Sequence, residues 1–401
     1  MKTRVAVIFG GKSVEHEVSV ISAIQAIMSM DTDKYEVIPV YMTKTNDMYI
    51  GEDLGKIASY KDIKSLLECS EHVIMLREGN RFLLVPYKGK KFGRKKCVEF
   101  DVAFPIVHGT NVEDGVLQGY LKTLGIPFVG PDVTSSAVGM DKFIMKTILK
   151  EYDVPVLDAK VYTMAEYAEI EKLLTDIESD FAYPVIVKPV NLGSSVGIGV
   201  AGDRATLVQA VDDAFIYSTK IIVERAISNL REINCSVLGD ENEAIASECE
   251  EPMHTKDILS YEDKYAGGGS KNKTGVGSKG KASGMASLSR KIPAEISSEQ
   301  RENIRNMAVK AFKALGCNGV SRIDFMIDED TGKLYFNEIN TIPGSLAFYL
   351  WEPIGVSYRE LLDRVIQLAI KRQRLEESLT FAFDTNILKD ANIQNGKGSK
   401  Q

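Results

Sequence analysis

Cysteine is scarce in this 401-residue chain, and Cys69, Cys97, Cys235, Cys249 and Cys317 are odd in number and never in Cys-x-x-Cys spacing. Reduced thiols of the cytosol fit this better than a disulfide framework. Long apolar runs are missing too. No segment reaches bilayer-spanning length, and in MKTRVAVIFGG the Gly-Gly-Lys interruption comes too early for a signal-peptide core. The expectation is a soluble cytoplasmic protein with no membrane partner. Excess positive charge is also lacking: 49 Lys and Arg against 56 Asp and Glu give a net charge of -7, which argues against nucleic acid as a partner. The basic cluster Lys88–Lys96 (KGKKFGRKK) lies between the apolar runs RFLLVPY and CVEFDVAF and contains two glycines, so it reads as a solvated turn joining two strands. The signature of disorder is absent, since 44% hydrophobic and 26% charged residues are ordinary for a globular protein. The length leaves room for two or three domains.

What is present begins with RVAVIF entering Gly10-Gly11 and a helical pattern from about Val18, the opening of an α/β sheet. Further strands are expected at EVIPVYM, HVIML, RFLLVPY, DVAFPIVHG and IPFVG, which places a first, open α/β domain over 1–135. A second unit, 136–230, starts with apolar residues Met140, Ile144, Met145, Ile148, Leu149 and Tyr152 at helical spacing, with Lys142 and Lys146 together on the other face. It continues through VLDAKVYT, a helix opened by the box Thr163-x-x-Glu166, YPVIVKP, a glycine loop, VGIGVAG, a helix over 204–216 and IIVERA, an α+β arrangement. The third unit, 231–372, contains a helix over 300–315 stopped by Gly316 and another opened by Ser357-x-x-Glu360. Within it, about 255–290 reads as a mobile loop because GGGSKNKTGVGSKGKASG has no apolar periodicity, and 373–401 reads as a frayed tail.

Three constellations carry chemistry. SRIDFMIDE and KLYFNEIN fold as a hairpin around Asp330-Thr331-Gly332, and pairing Glu329 with Lys333 sets Asp324 opposite Glu338 and Arg322 opposite Asn340 on one face. Facing carboxylates repel unless one is protonated or a cation sits between them, and oxygen ligands favour magnesium or another hard cation. Arg322 beside them suits a transferring phosphoryl group. The same four residues could also be cross-strand ion pairs on a surface sheet. Second, PVIVKPVNLGSSVGIGV places Lys188, Gly193, Ser194, Ser195, Gly197 and Gly199 in a hairpin whose amides could cradle phosphate, but it lacks the Gly-Lys-Ser/Thr ending of a Walker A loop. Third, GGKSVEHEVS carries Glu15, His16 and Glu17 with no GxGxxG dinucleotide pattern; its acids suit an ammonium ligand, or else Ser13 simply caps the helix.

In order along the chain, GGKSVEHEVS, HGTNVEDGVLQG, GIPFVG, SSAVGMDK, PVIVKP, LGSSVG, GCNGVSRIDF and NEINTIPG resemble the D-alanine:D-alanine ligase family of ATP-grasp ligases. The resemblance covers residue 4 to about 370. It implies an N-terminal open α/β domain, a central ATP-grasp lid and a C-terminal catalytic domain. It implies that ATP phosphorylates the carboxylate of one D-alanine and the amine of a second expels phosphate, for peptidoglycan precursors, with Mg2+ or Mn2+ and commonly as a homodimer. By the same resemblance, Glu15 holds the first substrate's ammonium with His108 near that subsite, and Arg322 stabilises developing charge. Lys142 and Lys188 bind phosphates, while Ser194 and Ser195 belong to the nucleotide loop and its hydrogen-bond network. Glu224 and the backbone near Ile227 meet adenine, and Glu232 meets ribose. Asp324, Glu338 and Asn340 hold the metal. Lys264 and Tyr265, in SYEDKY, work from the closing loop, where tyrosine points to an amine as second substrate and His254 lies too far upstream for a lactate-type role.

Two features depart from the family. The glycine-rich stretch after Tyr265 is longer than usual. The run after NTIPG reads SLAFYLWEP, which puts Tyr349 where a serine that helps hold the second substrate's carboxylate is expected. Gly344, Ser345, Tyr349 and Leu350 are therefore the expected second-substrate residues: the phenol could still donate, Ser345 could substitute, or the subsite could prefer another amino acid such as D-serine.

Overall fold

The apolar run after Arg4 forms β1 (Thr3–Gly10), in which Val5 through Phe9 are fully buried because β2 (Tyr35–Met42) and β7 (Val102–Ile106) pair with it in parallel on both sides. The computed structural model describes residues 2–87, 97–193, 195–253 and 290–380. Beyond β2 the first sheet turns antiparallel through β3 (Met48–Ile50), β4 (Glu71–Glu78), β5 (Arg81–Pro86) and β6 (Val98–Phe100), giving the order β6-β5-β4-β3-β2-β1-β7. It is thus an α/β sheet with a long antiparallel flank. The basic cluster Lys88–Lys96 lies outside the described residues, between β5 and β6. IPFVG does not become a strand. Phe128 makes one parallel bridge to Ala103 and no more, since Pro127 has no N–H to give and Gly130-Pro131 turns the chain away.

The central unit is a four-stranded antiparallel sheet of β8 (Ala159–Thr163), β9 (Val185–Pro189), β10 (Gly199–Ala201) and β11 (Lys220–Arg225), in the order β10-β9-β11-β8. Leu173, Leu174 and Ile177 of one helix and Leu207, Val211 and Ala214 of another pack on its Val185, Val187, Ile221 and Val223. The Thr163–Glu166 capping box forms.

The third sheet joins β12 (Leu230–Gly239), β13 (Ala244–Pro252), β14 (Arg290–Lys291), β15 (Gly319–Asp328) and β16 (Lys333–Asn340) in the antiparallel order β14-β13-β12-β15-β16. The helix Ser298–Ala314 covers one face, packing Ile304, Ala308 and Phe312 on Ile233, Cys235, Ile323 and Phe325. Strand alternation then commits Glu232, Asn234, Ser236, Arg322 and Asp324 to the opposite face. The final helix runs Tyr358–Glu377, past the point where a tail was expected to begin, because Leu361, Val365 and Ile366 bury into the first sheet's core and Arg372 donates to the Phe128 and Gly130 carbonyls at 2.6 and 2.7 Å. Residues 381–401 lie outside the described residues.

Candidate active site

The hairpin pairs Arg322 with Asn340 and Asp324 with Glu338, as the alternation requires, but by a different route. Near the turn Asp328, not Glu329, pairs with Lys333, which makes the loop four residues long. A bulge at Asn337 then adds one residue to β16 and restores the register before the polar pair. Gly332 takes the left-handed conformation at φ 68° that ends the turn. Arg322 grips Asp324 with two parallel bonds, Nε to Oδ1 at 2.7 Å and Nη2 to Oδ2 at 2.8 Å, while Asn340 donates to Oδ2 at 3.1 Å. Burial pushes the Asp324 carboxyl up and Arg322 pulls against it, with Glu338 and Glu232 adding to the upward push. Lys142 Nζ lies 3.4 Å from Glu338 Oε2.

The lysine face of the helix Lys142–Glu151 is not solvated. Lys142 and Lys146 are buried, at 7% and 3% exposure, whereas Ile144 and Tyr152 of the apolar pattern lie outside at 46% and 49%. Each lysine meets a carboxylate, Glu338 for Lys142 and Glu224 for Lys146. Glu224, on β11, is completely buried and accepts from Lys146 on Oε1 and from Lys188 on Oε2, the latter at 2.9 Å. Burial alone would push the Glu224 carboxyl up, yet the two ammonium groups hold it down at about 2. Burial in turn presses the Lys146 ammonium down to about 8, with Glu224 opposing. Lys142 also donates to the Leu192 carbonyl at 2.8 Å, tying this helix to the glycine loop. Glu224 is therefore first a holder of lysines. Ile227 follows the end of β11, half-buried, and Glu232 lies close enough to act electrostatically on both Lys188 and Asp324.

Three motifs far apart in sequence converge on Glu15. A Cβ added to Gly193 would stand 3.1 Å from its Oε2, and one added to Gly109 only 2.7 Å away, so the glycines of LGSSVG and HGTNVEDG are what let both loops approach this carboxylate. Ser13 does not cap the following helix, His16–Ser29: Glu15 holds the cap position without a side-chain bond to the helix. Ser13 Oγ instead accepts the Glu15 N–H at 3.1 Å. Ser195 sits in a left-handed turn at φ 58°. Ser194, Lys264 and Tyr265 lie outside the described residues, as do His254 and the glycine-rich loop.

Behind Glu15 a buried relay connects the two outer units. The Ile342 carbonyl can only accept, so His108 donates Nδ1–H to it at 2.8 Å, and Nε2 accepts from the Ser22 hydroxyl at 3.1 Å. Ser22 Oγ accepts the Ser345 N–H at 2.8 Å. Both ring nitrogens of His108 are thus committed to protein partners, and burial keeps the ring neutral. Next to it, Glu113 accepts from Gly109 N–H at 2.9 Å, from Ile342 N–H at 2.8 Å and from the Thr341 hydroxyl at 3.1 Å. Burial nevertheless pushes its carboxyl up to about 7 from 4.5, and the neighbouring Glu15 adds to the rise. A carboxyl raised on folding stabilises the fold fully below the unfolded value of 4.5, and this contribution is lost as pH rises through about 7. Unfolding by urea should accordingly show wild type losing on the order of 3 kcal/mol between pH 4.5 and pH 8 relative to Glu113→Gln. Parallel pH profiles for the two proteins would contradict this.

The turn after β16 is strained. Ser345, Leu346 and Ala347 are left-handed in succession at φ 52°, 52° and 49°, which costs non-glycine residues about 1–2 kcal/mol each and is held by burial of all three side chains. The Ser345 hydroxyl goes to Gln25 at 2.6 Å. Gly344 is half-buried, Leu350 is fully buried beside Ala347 and Ile292, and Tyr349 is buried with its ring under Arg290.

Sequence reasoning gave no role to Lys146 and passed over Glu113, Glu250 and Arg290. Glu113 stands inside the quoted HGTNVEDG, and Lys146 was visible four residues from Lys142. Nothing local marks Arg290. Among the described residues, no group of three or more His, Cys, Asp and Glu side chains is arranged to hold a metal, and no helix is long and apolar enough to cross a membrane.

Comparison with known proteins agrees on one family. The family descriptions "D-ala D-ala ligase N-terminus" and "D-ala D-ala ligase C-terminus" match residues 4–131 and 148–367. The D-alanine--D-alanine ligase of Caldicellulosiruptor bescii is 40% identical over 390 residues, 95% of this chain and 99% of the relative. That of Acetivibrio thermocellus is 40% identical over 383 residues, covering 92% and 96%. Among solved structures, the D-alanine-D-alanine ligase from Coxiella burnetii superposes with a TM-score of 0.75 at 28% identity, covering 94% of this chain and 96% of the other. The VanG D-Ala:D-Ser ligase from Enterococcus faecalis superposes at 0.74 and 30%, covering 92% and 100%.

Proposed function

We propose a reaction for this chain from one premise: it belongs to the D-alanine–D-alanine ligase family. It is an ATP-dependent ligase of the ATP-grasp fold that joins two D-alanines for peptidoglycan synthesis. ATP transfers its terminal phosphoryl group to the carboxylate of the first D-alanine, giving an acyl phosphate and ADP. The free amine of the second attacks that carbonyl, phosphate leaves, and the amine's proton is lost. D-serine as second substrate is the less supported reading, because the relatives at 40% identity are named for D-alanine.

The observation that carries the assignment of roles is the meeting of Lys142, Lys146 and Lys188 with the Asp324–Glu338 pair in one buried polar region. Lys142 and Lys188 bind the nucleotide phosphates; Lys146 holds Glu224 in place against its two oxygens' competing demands. Glu224 and the backbone near Ile227 meet the adenine, Glu232 the ribose, and the loop with Ser194 and Ser195 covers the phosphates. Glu15 holds the first ammonium, with His108 fixing the surrounding loops. With Nε and Nη2 locked to Asp324, Arg322 presents Nη1 to the oxygens on which charge grows in both steps. Lys264 and Tyr265 act from the closing loop.

Asp324, Glu338 and Asn340 fit a magnesium or manganese ion. They are oxygen donors on one face, and the Asn340 amide N–H given to Asp324 leaves its carbonyl oxygen as the donor toward a metal. Among the described residues, the four cations Lys142, Lys146, Lys188 and Arg322 face four carboxylates, Glu224, Glu232, Asp324 and Glu338, so these eight groups together bring no surplus positive charge to a triphosphate. A bound dication supplies that charge. Purified protein with ATP and magnesium should release phosphate only when D-alanine is added; release with L-amino acids alone overturns the reading. The chain acts in the cytoplasm as a homodimer, and a monomeric mass by light scattering would count against the dimer.

A further inference from the structure

Four side chains lie in one row across four strands: Glu250 opposite Asn234, Asn234 opposite Asp324, and Asp324 opposite Glu338. One end of the row is the metal-side pair. The other end is a second buried carboxylate with three donors among the described residues. Glu250 is 2% exposed; its Oε1 accepts from Asn234 Nδ2 at 3.0 Å and from the Tyr349 hydroxyl at 3.4 Å, and its Oε2 accepts from Arg290 at 2.6 Å. The Arg290 guanidinium carbon stands 3.8 Å from the centre of the Tyr349 ring, which fixes the ring's plane. The Tyr349 bond is the longest of the three and therefore the weakest. Arg322, two residues from Asp324 on the same face, feels both Tyr349 and Glu250 electrostatically, so this end borders the reacting centre.

We propose that Tyr349 selects the second amino acid through Glu250. Its hydroxyl occupies, from the protein's side, the acceptor that a hydroxyl-bearing substrate such as D-serine would use. Its ring, held in plane by Arg290, adds bulk at this position that a serine would not. A serine at this position is too short to reach Glu250 as the phenol does, so the exchange of serine for tyrosine moves the hydrogen bond away from the substrate's carboxylate and onto the selection of its side chain. The inference rests on the reading that the turn Gly344–Leu350 receives the second amino acid.

The test is a competition between equimolar D-alanine and D-serine with ATP and magnesium, with the dipeptides read by mass spectrometry. Wild type should form D-alanyl-D-alanine predominantly. Tyr349→Phe, which leaves Glu250 short of one donor at almost unchanged volume, should raise the D-serine to D-alanine product ratio by about tenfold, because a substrate hydroxyl then completes a buried acceptor. Tyr349→Ser, which also removes the ring, should in addition accept D-valine. A product ratio within about twofold of wild type in both variants overturns the proposal. So does a Tyr349→Phe protein that is folded but turns over neither amino acid, since the hydroxyl would then be required for turnover itself. Failure of the underlying reading looks different: wild type would release no phosphate with D-alanine at all.

Discussion

Replacing Glu338 by glutamine abolishes turnover and leaves the chain folded. The side chain stands opposite Asp324, on the face of the third sheet that its covering helix does not touch, and its neighbours Phe336 and Ile339 keep β16 anchored in the core whatever occupies position 338. Glutamine preserves length and shape but removes one of the two charges available to a hard cation, and the remaining carboxylate, Asp324, is already gripped on both oxygens by Arg322. We expect kcat to fall by at least about 1000-fold, with phosphoryl transfer lost before peptide-bond formation. Stability should stay close to wild type, because the lost attraction to Lys142 is offset by relief of the repulsion that pushes the Asp324 carboxyl up. The measurements are phosphate release across a magnesium titration and a thermal melt. Unchanged activity at saturating magnesium would refute the role.

Arg322→Met should cost kcat about 100- to 1000-fold, the scale of losing one preorganised charge donor, with a smaller change in KM, because the charge it meets is largest in the transition state. Unlike the first variant, this one also loses stability. Asp324 is largely withdrawn from water, its side chain 16% exposed, and would keep only Asn340 as a donor among the contacts described above, so breaking the pair costs about 3 kcal/mol unless the carboxyl takes up a proton. Arg322→Lys should restore part of the stability without the bidentate geometry, and so without most of the rate. A rise in KM with kcat intact would count against the assignment.

The polar face of the hairpin was legible because period-two alternation forces Arg322 and Asp324 to one side and Glu338 and Asn340 to one side of their own strands. That the two sets meet in the right register is owed to a bulge at Asn337 compensating a longer turn, and neither has a mark in the sequence. The lysines of the helix Lys142–Glu151 show the opposite case. Their spacing was visible, but helical periodicity alone assigns charged residues to solvent, and only carboxylates on distant strands, Glu224 for Lys146 and Glu338 for Lys142, reverse that assignment. Ser13 as a cap and IPFVG as a strand failed for local reasons: the cap position falls on Glu15, and Pro127 has no N–H.

By itself the sequence determined the strands and helices whose periodicity is long enough to read, the glycines that turn them, and the ordered motifs that identify the family. Those are properties of neighbours along the chain, set by backbone sterics and by the two periods of side-chain direction. Only the tertiary structure decided which charges are buried, and with which partners: Glu224 between Lys146 and Lys188, Glu113 under three donors from two distant segments, Glu250 shared by Asn234, Tyr349 and Arg290. The physical reason is that the free energy of a charge depends on what lies within a few ångströms of it after water has been removed, and the chain brings those groups together only when its sheets have packed.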